Sequence, residues 1–466
     1  MSATARRSAN YKPTIWNNEY LQSLISVYGE DRFLRRAKKL KAEVMALLDR
    51  TNDPCDQIEV VDVLQRLGIF YHFTDYIDTV LRNINIHGWN KDNLYATALC
   101  FRILRQHGYK ISSAKEFAAH HLKQKLKQNI NENITEEIAH AFEFPLHCRM
   151  LRLESRWYID AYEKRPDMNP LLLELAKLDF NIVQTMYQDE LKELSRWHTK
   201  TRLAEKLVFA RDRLAECFLW TVGFTFEPCF RYCRIMSVKF AVLITIIDDI
   251  YDVYGTLDEL ELFPKVVERW DINAAEQLPE YMKICFLALF NTVNEMAYDV
   301  LRDQGFNIIP HSTYRYLVEA KWYYSGYKPS LNEFLGNGWV SSTGPLLIVH
   351  AYFCMTNPLK DKSLEDLQRH PEIMKWTSLV SRLADDLGTS TEDSRGYIKN
   401  LIGSTWNKIN EDVLMNREYS RDFIETSINF ARISQCMYQH GDGHGIPDRE
   451  SKARILSLVI EPIPFP

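Results

Sequence analysis

The sequence predicts an all-α fold in two helical domains, on three observations. Glycine and proline number only 17 each in 466 residues, too few for the turns that a strand-rich architecture consumes. Apolar residues recur at three- and four-residue spacing through most of the chain, while period-two alternation bounded by turns is scarce. The stretch Glu163–Pro170 (EKRPDMNP) reads as a connector between two such helical runs. It places an expected domain boundary between residues 1–164 and 165–466.

The elements follow in order. Arg32–Leu48 spaces its apolar and basic residues as an amphipathic helix. Asp92–Leu104 opens on an aspartate cap signal and closes before the breaker at Gly108. Ala114–Gln128 is rich in Ala, Lys, Leu and Gln, a strong helix composition. Leu171–Leu194 carries one long apolar stripe, and Phe209–Thr221 reads as a further helix.

Composition narrows the function classes. Hydrophobic residues make up 46% and charged residues 26%, which fits a globular chain with a large core. A net charge of -5 with no long basic stretch gives nucleic acid no footing as a partner. The nine cysteines are scattered without a CxxC pair, and read as reduced, mostly buried thiols. No apolar run approaches the ~18 residues that span a bilayer, and no apolar region follows Met1 as a secretory signal would require.

Chemistry concentrates at two acidic segments. In Phe240–Gly255 (FAVLITIIDDIYDVYG) an apolar helix runs into Asp248, Asp249 and Asp252. Asp248 and Asp252 are four apart, on one helix face. Carboxylates at the end of a buried helix repel each other and are costly to desolvate; a hard divalent cation such as Mg²⁺ relieves that cost. The competing reading is a solvated acidic helix end, against which the buried helix argues. The second segment, Ser381–Ser394 (SRLADDLGTSTEDS), places Asp385, Thr389 and Asp393 at i, i+4 and i+8 if the helix continues through Gly388. Arg382, one turn earlier, has the fork to hold a phosphate. The competing reading is a capped helix end broken at Gly388.

Arg211-Asp212-Arg213 supplies two cations for a leaving diphosphate. Trp220, Tyr438 and His444 are aromatic or imidazole groups suited to a dry, cation-stabilising wall, although core packing is the commoner role for any one of them. Ala241, seven residues before Asp248, puts a small apolar group two helical turns before the acids.

Four stretches resemble the plant terpene synthases, and within them the angiosperm monoterpene synthases. Arg6-Arg7 followed after eight residues by Trp16 matches the RRx8W motif, and Arg211–Arg213 the RxR motif. Asp248–Asp252 (DDIYD) matches DDxxD, and the Asp385 segment resembles the NSE/DTE motif. RPDMNPLLLELAKLDFN, YGTLDELELF, VEAKWYYSGYKPSL and YQHGDGHG also look like the family, so the likeness covers essentially the whole chain.

The resemblance implies an N-terminal relic helical barrel and a C-terminal class I terpenoid synthase bundle. Arg6 and Arg7 would help close the active site. Asp248 and Asp252 would bind two Mg²⁺, with Asp385, Thr389 and the following acid, Glu392 or Asp393, holding a third; Mn²⁺ is the alternative metal. Arg211 and Arg382 would hold the diphosphate, with Arg213 completing the RxR pair. The implied reaction is ionisation of geranyl diphosphate to a volatile C10 terpene in the plastid stroma, by a monomer or weak homodimer with no membrane partner. A five- or fifteen-carbon substrate, a chain-elongating prenyl transferase and an inactive helical scaffold are the alternatives. The chain departs from the family text by being shorter near Ser112–Ala114, near His311–Tyr314 and after Gly396, where family members carry longer loops.

Overall fold

The computed structural model describes residues 6–87, 94–109, 139–141, 143–309, 325–359, 365, 367, 371–390, 392–415, 419–445 and 449–465, and among them there is no strand. In chain order the helices are α1 (Asn18–Ser23), α2 (Asp31–Leu48), α3 (Pro54–Arg66), α4 (Thr74–His87), α5 (Leu94–Gln106), α6 (Leu151–Glu163) and α7 (Pro170–Thr201). They continue with α8 (Leu203–Lys206), α9 (Leu214–Phe224), α10 (Arg231–Asp249), α11 (Leu257–Arg269), α12 (Glu280–Gln304), α13 (Leu331–Ser341) and α14 (Gly344–Met355). The last are α15 (Glu372–Thr389), α16 (Glu392–Met415), α17 (Arg421–Met437) and α18 (Arg449–Ile455). The all-α expectation holds. The helix expected at Ala114–Gln128 and the shortened text near Ser112–Ala114 and His311–Tyr314 lie outside the described residues.

The chain groups into two compact units: Met1–Leu24 with Asp189–Ile455, and Ile25–Gln188 with Leu456–Pro466. This grouping differs from the contiguous 1–164 and 165–466 division that the connector suggested. Glu163–Pro170 is the turn between α6 and α7, and the division falls instead inside α7. Prolines and Asn169 end and restart a helix there, which a sequence pattern cannot tell from a change of domain.

In the unit containing α2–α6, local signals set the helix starts. Asp53 accepts from the backbone N–H groups of Cys55 and Asp56, and Pro54 occupies the first turn of α3. The apolar faces of α2, α3 and α6 supply core residues such as Leu40, Val44, Ile58, Leu64, Tyr158 and Ile159. Amides on α7 hold the C-terminal segment: Gln188 Nε2 donates to Val459 O at 2.9 Å and Asn181 Nδ2 to Ile463 O at 2.9 Å.

In the other unit α10 runs through the middle, packed against α9, α12 and α14, while α17 packs on α9, α14 and α15. Arg234 of α10 and Glu190 form a fully buried bidentate pair, with Nε to Oε2 at 2.8 Å and Nη2 to Oε1 at 2.7 Å. The remaining guanidinium donor reaches the carbonyl oxygens of Thr225 and Glu227. Complete pairing is what makes such a burial tolerable. Among the described residues α12 alone is long and apolar enough to cross a membrane. It nevertheless packs on α10 and holds Lys239 through Glu295, Nζ to Oε1 at 2.7 Å.

Candidate active site

Between Phe240 and Asp249 only Ile244 and Asp248 escape full burial. They are four residues apart, so one face of α10 opens while the rest stays in the core. Ala241, 8% exposed, lies on the same face one turn earlier. Beyond Asp249 the chain widens into a π turn, Ile250–Tyr254, closed by Gly255 N–H to Ile250 O at 2.7 Å. The wider turn changes the angle between Asp248 and Asp252 from that of a straight α-helix, and leaves Asp252 exposed.

The RxR segment is not helical. Arg211–Arg213 precede α9, which begins at Leu214 rather than near Phe209. The cause is a tertiary bond: the Arg211 N–H donates to Asp249 Oδ2 at 2.7 Å instead of to a helix carbonyl. The Arg211 side chain is held as well, Nε 2.9 Å from Asp249 Oδ1 and Nη2 donating to Asp248 Oδ2 at 2.6 Å. Asp249 is 0% exposed and Asp248 45%, so Asp249 is the fixed anchor and Asp248 the carboxylate open to a ligand. The ring of Tyr11 lies 5.2 Å from the Arg211 guanidinium.

Arg213 is turned to other work. Its donors reach Gly445 O at 3.0 Å, His444 O at 3.3 Å, Lys12 O at 3.3 Å and Asp212 O at 2.8 Å. A buried guanidinium bonded to four carbonyls ties the chain together, and this departs from the expectation that both arginines of the pair receive a diphosphate.

The second segment does continue through Gly388, since α15 ends at Thr389. Arg382 Nε donates to Asp386 Oδ1 at 3.1 Å, and its guanidinium sits 4.7 Å from the Phe334 ring centre. Burial pushes Asp385 up to about 6; Arg382 opposes this, and the charges of Asp386, Asp442 and Asp248 add to it. Burial likewise raises Asp248 against the pull of Arg211, with Arg382 also within electrostatic reach. Asp248 and Asp385, 137 residues apart in sequence, therefore share one electrostatic site with both arginines. Thr389 is exposed, its Oγ1 donating to Asp385 O at 3.2 Å. Ser390 is extended (φ -79, ψ 157) and α16 starts at Glu392. Glu392 and Asp393 thus begin a new helix, exposed, with Glu392 3.9 Å from Arg395. The i+8 alignment expected for Asp393 fails because the helix breaks first, at Ser390. Among the described residues no three acidic, histidine or cysteine side chains are gathered closely enough to hold an ion.

An aromatic wall adjoins these acids. Trp220 lies 6.0 Å from both Phe430 and Tyr438 and 6.3 Å from His444, ring centre to ring centre. Tyr438 is within the fields of Asp385, Asp442 and Asp248. Thr245 Oγ1 donates to Ala241 O at 2.9 Å, so its lone pair accepts from His444 Nε2 at 3.0 Å. That bond places the imidazole proton on Nε2 and leaves the buried Nδ1 lone pair without a partner. Burial, then Arg211 and Arg213, push His444 down to about 3.

The N-terminal arm reaches the same helix end. Arg6 forks onto Glu259, with Nη1 to Oε2 at 2.9 Å and Nη2 to Oε1 at 2.8 Å, and lies 4.6 and 4.8 Å from the rings of Tyr254 and Tyr281. Glu259 also completes the capping box of α11 with Thr256. Burial opposes ionisation of Glu259, yet the bonds from Arg6, the Thr256 N–H and Tyr281 hold it down at about 2. Arg7 is exposed. Sequence reasoning gave no individual role to Asp249, Glu259, Tyr254 or Tyr281; the Thr256-x-x-Glu259 spacing signals only the cap.

The pattern of the "Terpene synthase family, metal binding domain" matches residues 199–427, and that of the "Terpene synthase, N-terminal domain" matches residues 15–115. The chain belongs to the terpene synthase family. These are enzymes that act on prenyl diphosphates. The chain is 57% identical to the (+)-epi-alpha-bisabolol synthase of Phyla dulcis over an alignment spanning all of both chains. That alignment runs over 546 positions against 466 residues in this terpene synthase. Among solved structures, limonene synthase with 2-fluorolinalyl diphosphate superposes with a TM-score of 0.94 at 37% identity, covering 99% of this chain and 100% of that one. Isoprene synthase from grey poplar leaves, in complex with three Mg²⁺ ions and dimethylallyl-S-thiolodiphosphate, gives 0.86 at 39%, covering 97% and 100%. Some relatives carry "chloroplastic" in their names.

Proposed function

We propose that this terpene synthase ionises geranyl diphosphate with Mg²⁺ and releases a volatile C10 terpene and diphosphate. The observation that carries the reading is the convergence of Asp248, Asp385, Arg211 and Arg382 on one site beside the Trp220–Tyr438–His444 wall.

The donor set fits a hard divalent cation. Asp248, Asp252 and Asp385 offer oxygen ligands, and Asp385 is costly to leave charged where it stands. Mg²⁺ needs only one or two carboxylates, completing its shell with water and phosphate oxygens. Asp248 and Asp252 would hold it on one side, Asp385 and Thr389 on the other; Mn²⁺ suits the same oxygens. When bound, the metal supplies Lewis-acid polarisation of the diphosphate. Arg382 and the Arg211 fork grip the departing diphosphate through charge-assisted bonds. The arm held by Arg6 and Glu259 excludes water, so the allylic cation survives. Trp220 and Tyr438 stabilise it by cation–π contact, roughly 0.5–2 kcal/mol each. His444, neutral at physiological pH with an unpartnered Nδ1, takes the final proton, and no polar group on Ala241 captures water. By resemblance, the enzyme acts in the plastid as a monomer or weak homodimer.

A fifteen-carbon substrate is the second reading, favoured by the likeness to the Phyla dulcis bisabolol synthase. Incubation with geranyl or farnesyl diphosphate and Mg²⁺, followed by gas chromatography, separates the two. Higher kcat/KM for geranyl diphosphate supports the first reading, and higher kcat/KM for farnesyl diphosphate overturns it.

A further inference from the structure

Arg382 of α15 is held in place from a second helix, α13, which none of the motifs above includes. α13 opens on a capping box: Ser330 Oγ accepts from the Glu333 N–H at 3.3 Å, and Glu333 Oε2 accepts from the Ser330 N–H at 2.8 Å. The cap fixes the first turn and with it the direction of Phe334, the next residue. Phe334 and Gly338 are four apart, on one face of α13, and α13 packs on α15. Arg382 lies along that face. A Cβ on Gly338 would stand 3.1 Å from Arg382 Cγ, 3.7 Å from Cδ and 3.9 Å from Nε. The aliphatic stem therefore runs flat across the gap left by a missing side chain. Glycine inside a helix is unfavourable relative to alanine, and here its use is room for that stem. Beyond the gap the guanidinium reaches the Phe334 ring, 4.7 Å from its centre, while Nε donates to Asp386 Oδ1 at 3.1 Å. An arginine loses much rotamer freedom when a ligand fixes it; stem, ring and carboxylate have already restricted this one.

We propose that Phe334 and Gly338 are positioning residues that prearrange Arg382 for the diphosphate. Gly338 lets the stem lie down against α13, and the face of Phe334 carries the charge at its end. The fork is thus aimed before substrate arrives, and less ordering is left to oppose binding. This inference rests on the reading of Arg382 as a diphosphate ligand.

Isothermal titration of inorganic pyrophosphate into the full chain with Mg²⁺ reads this grip without turnover. Gly338→Ala sets a methyl group against the stem, which must give by a few tenths of an ångström, and pyrophosphate binds about fivefold more weakly. Phe334→Leu stays apolar but loses the ring face, and weakens binding about threefold. Phe334→Tyr keeps the face and binds as the parent does. Gly336→Ala is the control: it lies on the same helix with nothing within 4 Å of its Cβ, and it leaves the affinity unchanged. The deciding step is a double-mutant cycle. Arg382→Ala alone weakens pyrophosphate binding by about tenfold or more, and in that background neither G338A nor F334L weakens it further. Parent-like affinity in G338A or in F334L, or equal losses with and without Arg382, overturns the proposal. Should G338A fail to fold, F334L and F334Y, at a half-buried position, decide the matter. Parent-like affinity in R382A would instead remove Arg382 as a diphosphate ligand, and the proposal would fall with that reading.

Discussion

Arg211 shows how one guanidinium is shared between structure and chemistry. Asp249 grips its backbone N–H and its Nε from a fully buried position, while Asp248 meets its Nη2 from a half-exposed one. The two aspartates of one motif therefore respond differently to removal. Asp249→Ala leaves the Arg211 backbone N–H and Nε unpaired while Asp248 still meets Nη2, and costs about 1–3 kcal/mol of stability, read as a lowered thermal midpoint. Asp252→Ala, at an exposed side chain, stays within about 0.5 kcal/mol of the parent in stability and loses Mg²⁺-dependent turnover. The acidic end of a buried helix, with Asp248 and Asp252 at its open side, was legible from the apolar run that precedes them. The anchoring role of Asp249 was not, because a DDxxD string does not say which acid faces inward. Arg213 was misleading for the same reason: adjacent residues point in different directions, and only its four carbonyl partners reveal its use.

At the scale of elements, the buried run of α10 and the length of α7 were readable because helical periodicity is strong over many residues. Boundaries were less so. The start of α9 moved from Phe209 to Leu214 because a tertiary bond captured the Arg211 N–H. The alignment of Asp385 with Asp393 failed because Ser390 leaves helical geometry. This break yields a clear expectation for the second site. Glu392→Ala and Asp393→Ala each keep turnover and Mg²⁺ dependence within about twofold of the parent, as solvated surface substitutions do. Asp385→Ala abolishes turnover. A loss in Glu392→Ala or Asp393→Ala equal to that in Asp385→Ala would return the missing ligand to α16. The arm behaves as an element too. Glu259→Gln weakens its hold on Arg6, and kcat falls while pyrophosphate affinity at the metal site changes little, because Arg6 binds Glu259 and the Tyr254 carbonyl and neither Asp248 nor Asp385.

The whole molecule carries a pH signature. Burial holds His350 neutral, at about 4, with Nδ1–H donating to Leu346 O at 2.7 Å and the ring 4.0 Å from Phe240. His444 lies lower still. A histidine lowered in the folded state gives stability that is complete above its unfolded value of ~6.5 and is lost as pH falls toward the folded value. Between pH 6.5 and 4 the unfolded chain binds more protons, so stability falls by up to about 1.4 kcal/mol per pH unit for each such group. Thermal melts across that range show the decline, and His350→Leu removes about half of the slope these two residues contribute. A slope unchanged in His350→Leu would mean that the ring is not held neutral.

The most direct measurement is product release from geranyl diphosphate by the parent chain and by Asp248→Ala, with Mg²⁺ present, read by gas chromatography and a pyrophosphate assay. The parent releases a volatile terpene and one pyrophosphate per turnover, and Asp248→Ala releases neither above background. Full turnover in Asp248→Ala, or a longer prenyl diphosphate as the parent's only product, would contradict the account.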